Sequence, residues 1–307
     1  MGSGRWSGES WKSYATSKSY ATKSAKEIYT KSSIDPDLDP KGVKIRESRD
    51  SEDNPNSNAL IVALDVSGSM DPVLESMAKR GLNDLVTNIY ERKPISDPHV
   101  MCMAIGDVEM GDRAPLQVTQ FEADLRIAEA LEKIYLEMMG GGNMYESYAL
   151  SWFFAAMHTS IDCFEKRGKK GYLFTVGDEK PTPYLTAGDI KTVTGDSPER
   201  DLKGSELLDM VSRTYDVYHL IVEEGYNFQR IPEKVRSEWI GLLGQRAIRL
   251  TDHTKMSEVI TSTIQINEGF SKEEVIGSWD GDTSVVVANA IEGLTSPLSQ
   301  SDGLVEY

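Results

Sequence analysis

Ala59-Leu-Ile-Val-Ala-Leu-Asp65-Val-Ser67-Gly-Ser69 is the stretch of this 307-residue chain that decides its fold. Six apolar residues in a row predict a buried strand, and such continuous runs are typical of parallel sheets. The Asp and the two Ser that follow stand at alternate positions, so their three side-chain oxygens can converge from one tight loop. Hard divalent cations, above all Mg²⁺, bind such oxygens and usually keep some coordination positions for water or a partner. The alternative is that the two serines only cap the next helix.

The residues after this loop carry the apolar spacing of a helix. Asp71 and Pro72 form an N-cap followed by a first-turn proline, and apolar side chains recur at helical spacing from Val73 to Tyr90. A strand, an oxygen-rich loop and an amphipathic helix, in this order, form the arrangement in which open α/β sheets bind ligands. We therefore expect a ligand site at the carboxyl edge of a sheet.

Strand and helix patterns alternate along most of the remaining chain. This alternation predicts an α/β fold with a Rossmann-like, doubly wound, mostly parallel six-stranded sheet and helices on both faces. The predicted strands cover 59–64, 99–105, 116–121 (an antiparallel edge strand), 171–176, 216–222 and 246–250. The predicted helices cover 72–90, 123–139, 145–166, 232–243, 256–266 and 284–291.

Composition divides the chain into three segments. Residues 1–57 are polar and poor in aliphatic side chains, which predicts an extension that is flexible or docked. Residues 58–268 form the predicted α/β domain, and residues 269–307 form a C-terminal extension. The first segment has ten Lys and Arg against nine Asp and Glu, so of the net charge of −16 the remaining 250 residues carry −17. This acidity disfavours nucleic acid and anionic membranes as partners and favours cations.

The sequence also bears on the cellular location. No apolar run approaches the roughly 20 residues that a membrane span needs, and no signal-peptide pattern opens the chain. The only cysteines, Cys102 and Cys163, lie in a predicted strand and a predicted helix, which predicts buried thiols without a disulfide framework. We expect a cytoplasmic protein.

The loop that carries Asp65, Ser67 and Ser69 makes residues 58–268 resemble a von Willebrand factor type A (VWA) domain. In this family a metal-ion-dependent adhesion site, built on Asp-x-Ser-x-Ser, draws on three loops. The resemblance assigns the second loop to residues 140–150, where the family usually has Thr and this chain offers Asn143 or Glu146. It assigns the third loop to the end of the strand 171–176, where Asp178 matches an acidic residue that often reaches the ion through water. The implied ligands of Mg²⁺, or of Mn²⁺ or Ca²⁺, are Asp65, Ser67, Ser69, Asn143, Glu146 and Asp178.

The resemblance implies a binding module rather than an enzyme. An ion held by these loops would offer an open position to an Asp or Glu side chain of a protein partner. The likeness is to intracellular VWA proteins of bacterial or phage type. Some of these act as adaptors beside MoxR-type AAA+ ATPases or in self-assembled complexes, so an adaptor or scaffold role is the expectation by analogy.

Two other functions stay open. Asp65 could be the nucleophile of a magnesium-dependent phosphotransferase or hydrolase of the haloacid-dehalogenase type, although such enzymes need a second Asp where this chain has Ser67. The basic N-terminal segment, with its Trp and Tyr residues, could stack on single-stranded nucleic acid. Asp107 and Glu179 follow other predicted strands and either support the site or are solvated. The polar insertion at 178–207 either helps select the partner or only bridges distant elements.

Overall fold

The computed structural model describes residues 3–137 and 142–296. The strands, in chain order, are β1 (Arg46–Ser48), β2 (Asn58–Asp65), β3 (Pro98–Ile105), β4 (Leu116–Val118), β5 (Thr159–Ile161), β6 (Gly171–Gly177), β7 (Tyr184–Leu185), β8 (Leu202–Lys203), β9 (Tyr215–Val222) and β10 (Ala247–Leu250). The α-helices are α1 (Gly8–Ser17), α2 (Ala25–Ile28), α3 (Asp71–Ser76), α4 (Leu82–Arg92), α5 (Arg126–Leu131), α6 (Tyr148–Met157), α7 (Asp162–Glu165), α8 (Ala187–Thr194), α9 (Gly204–Val211), α10 (Tyr226–Arg230), α11 (Pro232–Leu243), α12 (Met256–Asn267), α13 (Lys272–Gly277) and α14 (Gly281–Ile291).

Six strands form the central sheet, in the order β10-β9-β6-β2-β3-β4. Every neighbouring pair is parallel except β3 and β4, so β4 is the predicted antiparallel edge strand. If only the sheet strands are counted, this is the 3-2-1-4-5-6 order of doubly wound folds, which bind ligands where the strand order reverses. The predicted α/β class is confirmed, and the reversal lies between β2 and β6.

Helices cover both faces of the sheet. In β2, Leu60, Val62 and Leu64 pack in one cluster with buried residues of α3, α4, α12 and α14. The intervening Ala59, Ile61 and Ala63 pack on the other face with residues of α6, α9 and α11. A strand covered on both faces must be apolar at every position, which explains the unbroken apolar run.

Residues 3–57 lie against the domain. Trp6, Trp11 and Tyr20 are buried in the cluster that also contains the apolar residues of α4. The Tyr29 hydroxyl donates to the Leu74 carbonyl oxygen at 3.2 Å, and β1 pairs in parallel with β5. The buried rings are therefore packed against the protein's own core, where they are not accessible for stacking on nucleic acid.

The prediction of one helix over 145–166 is wrong. Helix α6 ends at Met157, and the chain continues through His158 into β5 and then α7. The side chain of His158 anchors this turn, with Nε2 2.5 Å from an Asp196 carboxylate oxygen and Nδ1 3.1 Å from the Lys44 carbonyl oxygen. Residues 159–161 are extended because they pair with β1.

Two other predicted helices differ in extent. The helix predicted over 123–139 is limited to α5, and positions 138 and 139 lie outside the described residues. The helix predicted from residue 72 is continuous in direction but has a wider π-helical turn at Met77–Gly81 between α3 and α4. The six predicted strands are present, with the third ending at Val118 instead of at residue 121.

The described part of the C-terminal segment packs on the domain. Val275 in α13 and Val287 and Ile291 in α14 are buried in the same cluster as α12. Among the described residues, none of the helices is both long and apolar enough to cross a lipid bilayer.

Candidate functional site

Two of the predicted site residues stand at the reversal of strand order. Asp65 ends β2, and Asp178 directly follows β6. The Ser69 hydroxyl donates to Asp178 Oδ1 at 2.9 Å, and the Ser67 and Ser69 hydroxyl oxygens lie 3.1 Å apart. The Ser67 backbone N–H donates to Asp65 Oδ1 at 2.7 Å. These four residues therefore form one hydrogen-bonded row at the carboxyl edge of the sheet.

Both carboxylates of this row are withdrawn from water. Asp65 and Asp178 are each 0% exposed. Burial, followed by the charge of Asp178, raises the pKa of Asp65 to about 7, and burial also raises the pKa of Asp178. No lysine or arginine among the described residues forms an ion pair with either carboxylate. Two buried like charges without a counter-ion are costly, and a bound cation would reverse that cost.

The second loop brings Glu146 and Asn143 to different places. Glu146 is 2% exposed, and its Oε2 is buried without a hydrogen-bond partner among the described residues. Burial, followed by the charge of Asp65, raises the pKa of Glu146 well above its ordinary value. Asn143 instead donates its side-chain amide to Asp107 Oδ2 at 2.7 Å, and its Oδ1 accepts from the Tyr145 backbone N–H at 3.2 Å.

Of these two candidates, Glu146 is therefore the one whose charge interacts with Asp65. The glycines at 140 and 141, which the sequence assigned to the start of this loop, lie outside the described residues.

Sequence reasoning missed two residues that hold the aspartates in place. The Tyr148 hydroxyl donates to Asp65 Oδ2 at 3.1 Å. The Asn227 backbone N–H donates to Asp178 Oδ2 at 2.8 Å, and its side-chain amide donates to Glu179 Oε1 at 2.6 Å. Asn227 is the second residue of α10, which follows the carboxyl end of β9 after a short loop, so its place near a strand end could have marked it. No local pattern marks Tyr148.

The sequence leaves open whether Glu179 supports the site or is solvated. In the structure it is buried with the site carboxylates. It is 1% exposed, and its Oε2 has no hydrogen-bond partner among the described residues. Burial, followed by the charges of Asp65 and Asp178, raises its pKa to about 9. Lys180 supplies a smaller opposing charge, and its ammonium lies 3.3 Å from the centre of the Tyr145 ring.

Two glycines allow this close packing. A Cβ on Gly177 would collide with the Tyr148 hydroxyl, and a Cβ on Gly225 would collide with the Asp178 carboxylate. Both side chains reach their hydrogen-bond partners because the backbone beside them carries no side chain.

The donor set fits a hard divalent cation. The row supplies two carboxylates and two hydroxyls, and Glu146 and Glu179 each add a buried carboxylate oxygen that no donor of the described residues satisfies. Oxygen ligands of this kind suit Mg²⁺, Mn²⁺ or Ca²⁺ and do not suit a soft metal.

The carboxylates of this site do not converge on one point. Among the described residues, the three-member acidic or histidine group with ligand atoms within 4.8 Å of one another is Glu224, Asp252 and His253, which follows β9 and β10 and contains none of the residues above. A cation at the site would therefore need hydroxyls and water molecules as well as carboxylates.

Comparison with known proteins gives similarity of fold only. No protein-family model and no curated protein matches the chain. The pilus adhesin SpaC from Lactobacillus rhamnosus GG is 12% identical with a TM-score of 0.47, over 74% of this chain and 32% of the adhesin. Proximal thread matrix protein 1 from the mussel byssus is 13% identical with a TM-score of 0.41, over 68% of this chain and 46% of that protein. A von Willebrand factor type A structure from Catenulispora acidiphila is 16% identical with a TM-score of 0.39, over 70% and 43%.

This chain thus spans less than half the length of each of these proteins. The TM-scores lie below the level at which a structural likeness would bear on the site. The α/β class of the chain rests on its own strand order.

Proposed function

We propose that this chain is a cytoplasmic, divalent-cation-dependent protein-binding module of the VWA type, acting as an adaptor or scaffold and not as an enzyme. The observation that supports the proposal most is the hydrogen-bonded row from Asp65 through Ser67 and Ser69 to Asp178. This row joins two loops at the point of the sheet where doubly wound folds bind ligands.

The ion would be Mg²⁺, or Mn²⁺ or Ca²⁺ in its place. Asp65, Ser67 and Ser69 would hold it from the first loop, Glu146 from the second and Asp178 from the third, with Asn143 confined to positioning Asp107. Bound there, the ion supplies positive charge to carboxylates that have no cationic partner in the described chain. The protein's own part is to keep these oxygens in place through Tyr148 and Asn227.

The partner would be a protein that offers an Asp or Glu side chain to the open position of the ion. Asp65, Ser67, Ser69, Glu146 and a water held by Asp178 would fill about five positions of a near-octahedral ion, which leaves a position for the partner's carboxylate. A MoxR-type AAA+ ATPase or a second copy of this chain are the partners that the resemblance suggests. The cytoplasmic assignment is supported by Cys102 and Cys163, which are both buried free thiols.

A magnesium titration followed by thermal unfolding tests the proposal. Binding to the folded state alone stabilises it by about 2.7 kcal/mol when the free ion is 100-fold above its Kd. We expect the wild-type melting temperature to rise with magnesium, and the Asp65→Ala protein to show no such rise. Asp209→Ala, which removes an exposed carboxylate in α9, is the matched control and should respond like the wild type.

Two outcomes would contradict the proposal. The first is a wild-type melting temperature that does not change up to about 10 mM of Mg²⁺, Mn²⁺ or Ca²⁺. The second is magnesium-dependent phosphatase activity that disappears in Asp65→Ala, because that result would establish the phosphotransferase alternative. Partner capture with and without a chelator then tests whether the ion carries the protein contact.

A further inference from the structure

A cavity of about 260 Å³ opens beside the candidate metal site. The loop after β3, the loop before α6 and the segment from Thr182 to Asp189 enclose it. Four carboxylates line it, those of Asp107, Glu109, Glu146 and Asp189, and no lysine or arginine is among its described lining residues. Small-molecule sites commonly measure about 300–1,000 Å³. This cavity, called the carboxylate pocket below, is therefore of a size for one long side chain.

Glu146 shows that the pocket lacks a donor. The residue is 2% exposed, it lines the pocket, and its Oε2 has no hydrogen-bond partner among the described residues. Leaving a buried acceptor unsatisfied costs about 1–3 kcal/mol, and more when the group is charged. When no ion is bound, a donor that enters the pocket from outside would remove this cost.

The other three carboxylates are held by the protein without being neutralised. Asp107 accepts from the Asn143 amide at 2.7 Å and from the Glu109 backbone N–H at 2.9 Å. Asp189 Oδ2 accepts from the Thr186 backbone N–H at 3.1 Å at the start of α8. None of these donors carries a positive charge. The pocket therefore offers acceptor oxygens and negative charge with no cation among its described lining residues, and this favours a cationic ligand.

The rim of the pocket has the composition of a protein-binding surface. Tyr184 lines it and is 52% exposed, and Met110, next to Glu109, is 51% exposed. Aromatic residues and methionine are enriched in protein interfaces. If a cationic side chain of a partner entered the pocket, Tyr184 and Met110 would contact the partner's backbone beside that side chain.

We propose that the carboxylate pocket binds an arginine side chain of the partner protein. Arginine fits best because its planar guanidinium can donate to several carboxylates at once and can lie on a tyrosine ring. The inference rests on the proposed function in taking the partner to be a protein. It adds that recognition uses a basic residue next to the ion, and it does not require the ion to be bound.

Titration with short peptides tests this inference. Three acetylated, amidated pentapeptides, Gly-Gly-X-Gly-Gly with X as Arg, Ala or Glu, are titrated into the full chain, and binding is followed by protein NMR shifts. The measurements are made once with EDTA and once with magnesium. In EDTA the arginine peptide should bind about fivefold more tightly than the alanine peptide, since one such ion pair contributes about 1 kcal/mol. With magnesium, where Glu146 would hold the ion, Asp107, Glu109 and Asp189 should keep a preference of about twofold.

Two substitutions locate the binding. Glu109→Gln and Asp189→Asn each remove one charge of the pocket, and each should weaken the arginine peptide about threefold or more. Glu91→Gln is the control, because Glu91 is exposed in the last turn of α4, which leads to the opposite edge of the sheet. It removes the same charge and should leave binding unchanged.

The two proposals fail separately. Equal binding of the arginine and alanine peptides refutes the pocket, as does equal binding of the arginine peptide by Glu109→Gln, Asp189→Asn and Glu91→Gln. An absent magnesium response with a retained arginine preference refutes the metal site alone. A magnesium response with no arginine preference refutes the pocket alone.

Discussion

Asp65 and Asp162 are both buried aspartates, at opposite edges of the sheet. Asp162, 2% exposed, lies near the amino end of β2, where it accepts from Arg49 at 2.8 Å and pairs with Lys166 at 2.7 Å. Burial opposes its charge, but the hydrogen bonds from Lys166, the Asp50 backbone N–H and Arg49 outweigh burial and lower its pKa. Asp65 has no cationic partner in the described chain, and its pKa is raised.

The comparison separates a carboxylate that the chain itself neutralises from one that it does not. At the amino edge, Arg49, Lys166 and Arg167 neutralise Asp50 and Asp162 within the chain itself. At the carboxyl edge, no lysine or arginine of the described residues forms an ion pair with Asp65 or Asp178, and burial raises the pKa of both. The same substitution at each edge should therefore have opposite effects on stability.

The largest expected effect is at the amino edge. Asp162→Asn should lower the free energy of unfolding by about 2 kcal/mol, because Arg49 and Lys166 each lose their buried carboxylate partner and keep only Glu47, Glu165 and Asp50. Urea unfolding measures this change. Asp209→Asn removes an exposed carboxylate and should change stability by less than about 0.5 kcal/mol. Equal stability of the two variants would contradict the structural role of Asp162.

At the carboxyl edge the same kind of substitution should raise the free energy of unfolding instead of lowering it. With EDTA present, Asp65→Asn should raise the free energy of unfolding by about 1–2 kcal/mol, because it removes a buried like charge beside Asp178. The asparagine can keep both contacts, accepting from the Ser67 N–H and donating to the Tyr148 hydroxyl oxygen. Urea unfolding in EDTA and in magnesium gives the result. A loss of stability like that of Asp162→Asn would remove the distinction between the edges.

Acid should act on the amino edge by a smaller amount. The pKa values of Asp50 and Asp162 are lowered in the folded chain. Their contribution is therefore fully present above the unfolded-state pKa of about 3.9 and is lost as the pH falls through the folded-state values. Unfolding between about pH 5 and pH 3 should show a loss on the order of 1 kcal/mol that is smaller in Asp162→Asn. Identical pH profiles of the wild type and Asp162→Asn would contradict this contribution of Asp162.

The sheet could be predicted because a strand covered on both faces has a local signature, an unbroken apolar run ended by polar residues. The end of α6 at Met157 could not be predicted. Residues 145–166 are apolar throughout most of their length, and 159–161 become a strand only through pairing with β1, which lies far away in the sequence. A partner strand of three residues, Arg46–Ser48, gives no periodic pattern to detect.

The candidate site likewise has residues that the sequence predicts and residues that it does not. Asp65, Ser67, Ser69 and Asp178 could be placed together because the carboxyl ends of neighbouring parallel strands meet at one edge. The choice between Asn143 and Glu146 could not be made, because it depends on Asp107, which takes the Asn143 amide from the end of β3. Tyr148 could not be found because its role depends on how α6 packs on the sheet, which brings the hydroxyl to Asp65 and Gly177.

The contact between Gly177 and the Tyr148 hydroxyl has a consequence for natural variation. A side chain at position 177 and a tyrosine at position 148 exclude one another, so relatives that carry alanine or serine at 177 should have a shorter residue at 148. Asp65 would then lose the hydroxyl that orients it. In such relatives the pair 177 and 148 would indicate, before any measurement, where Asp65 lacks this contact.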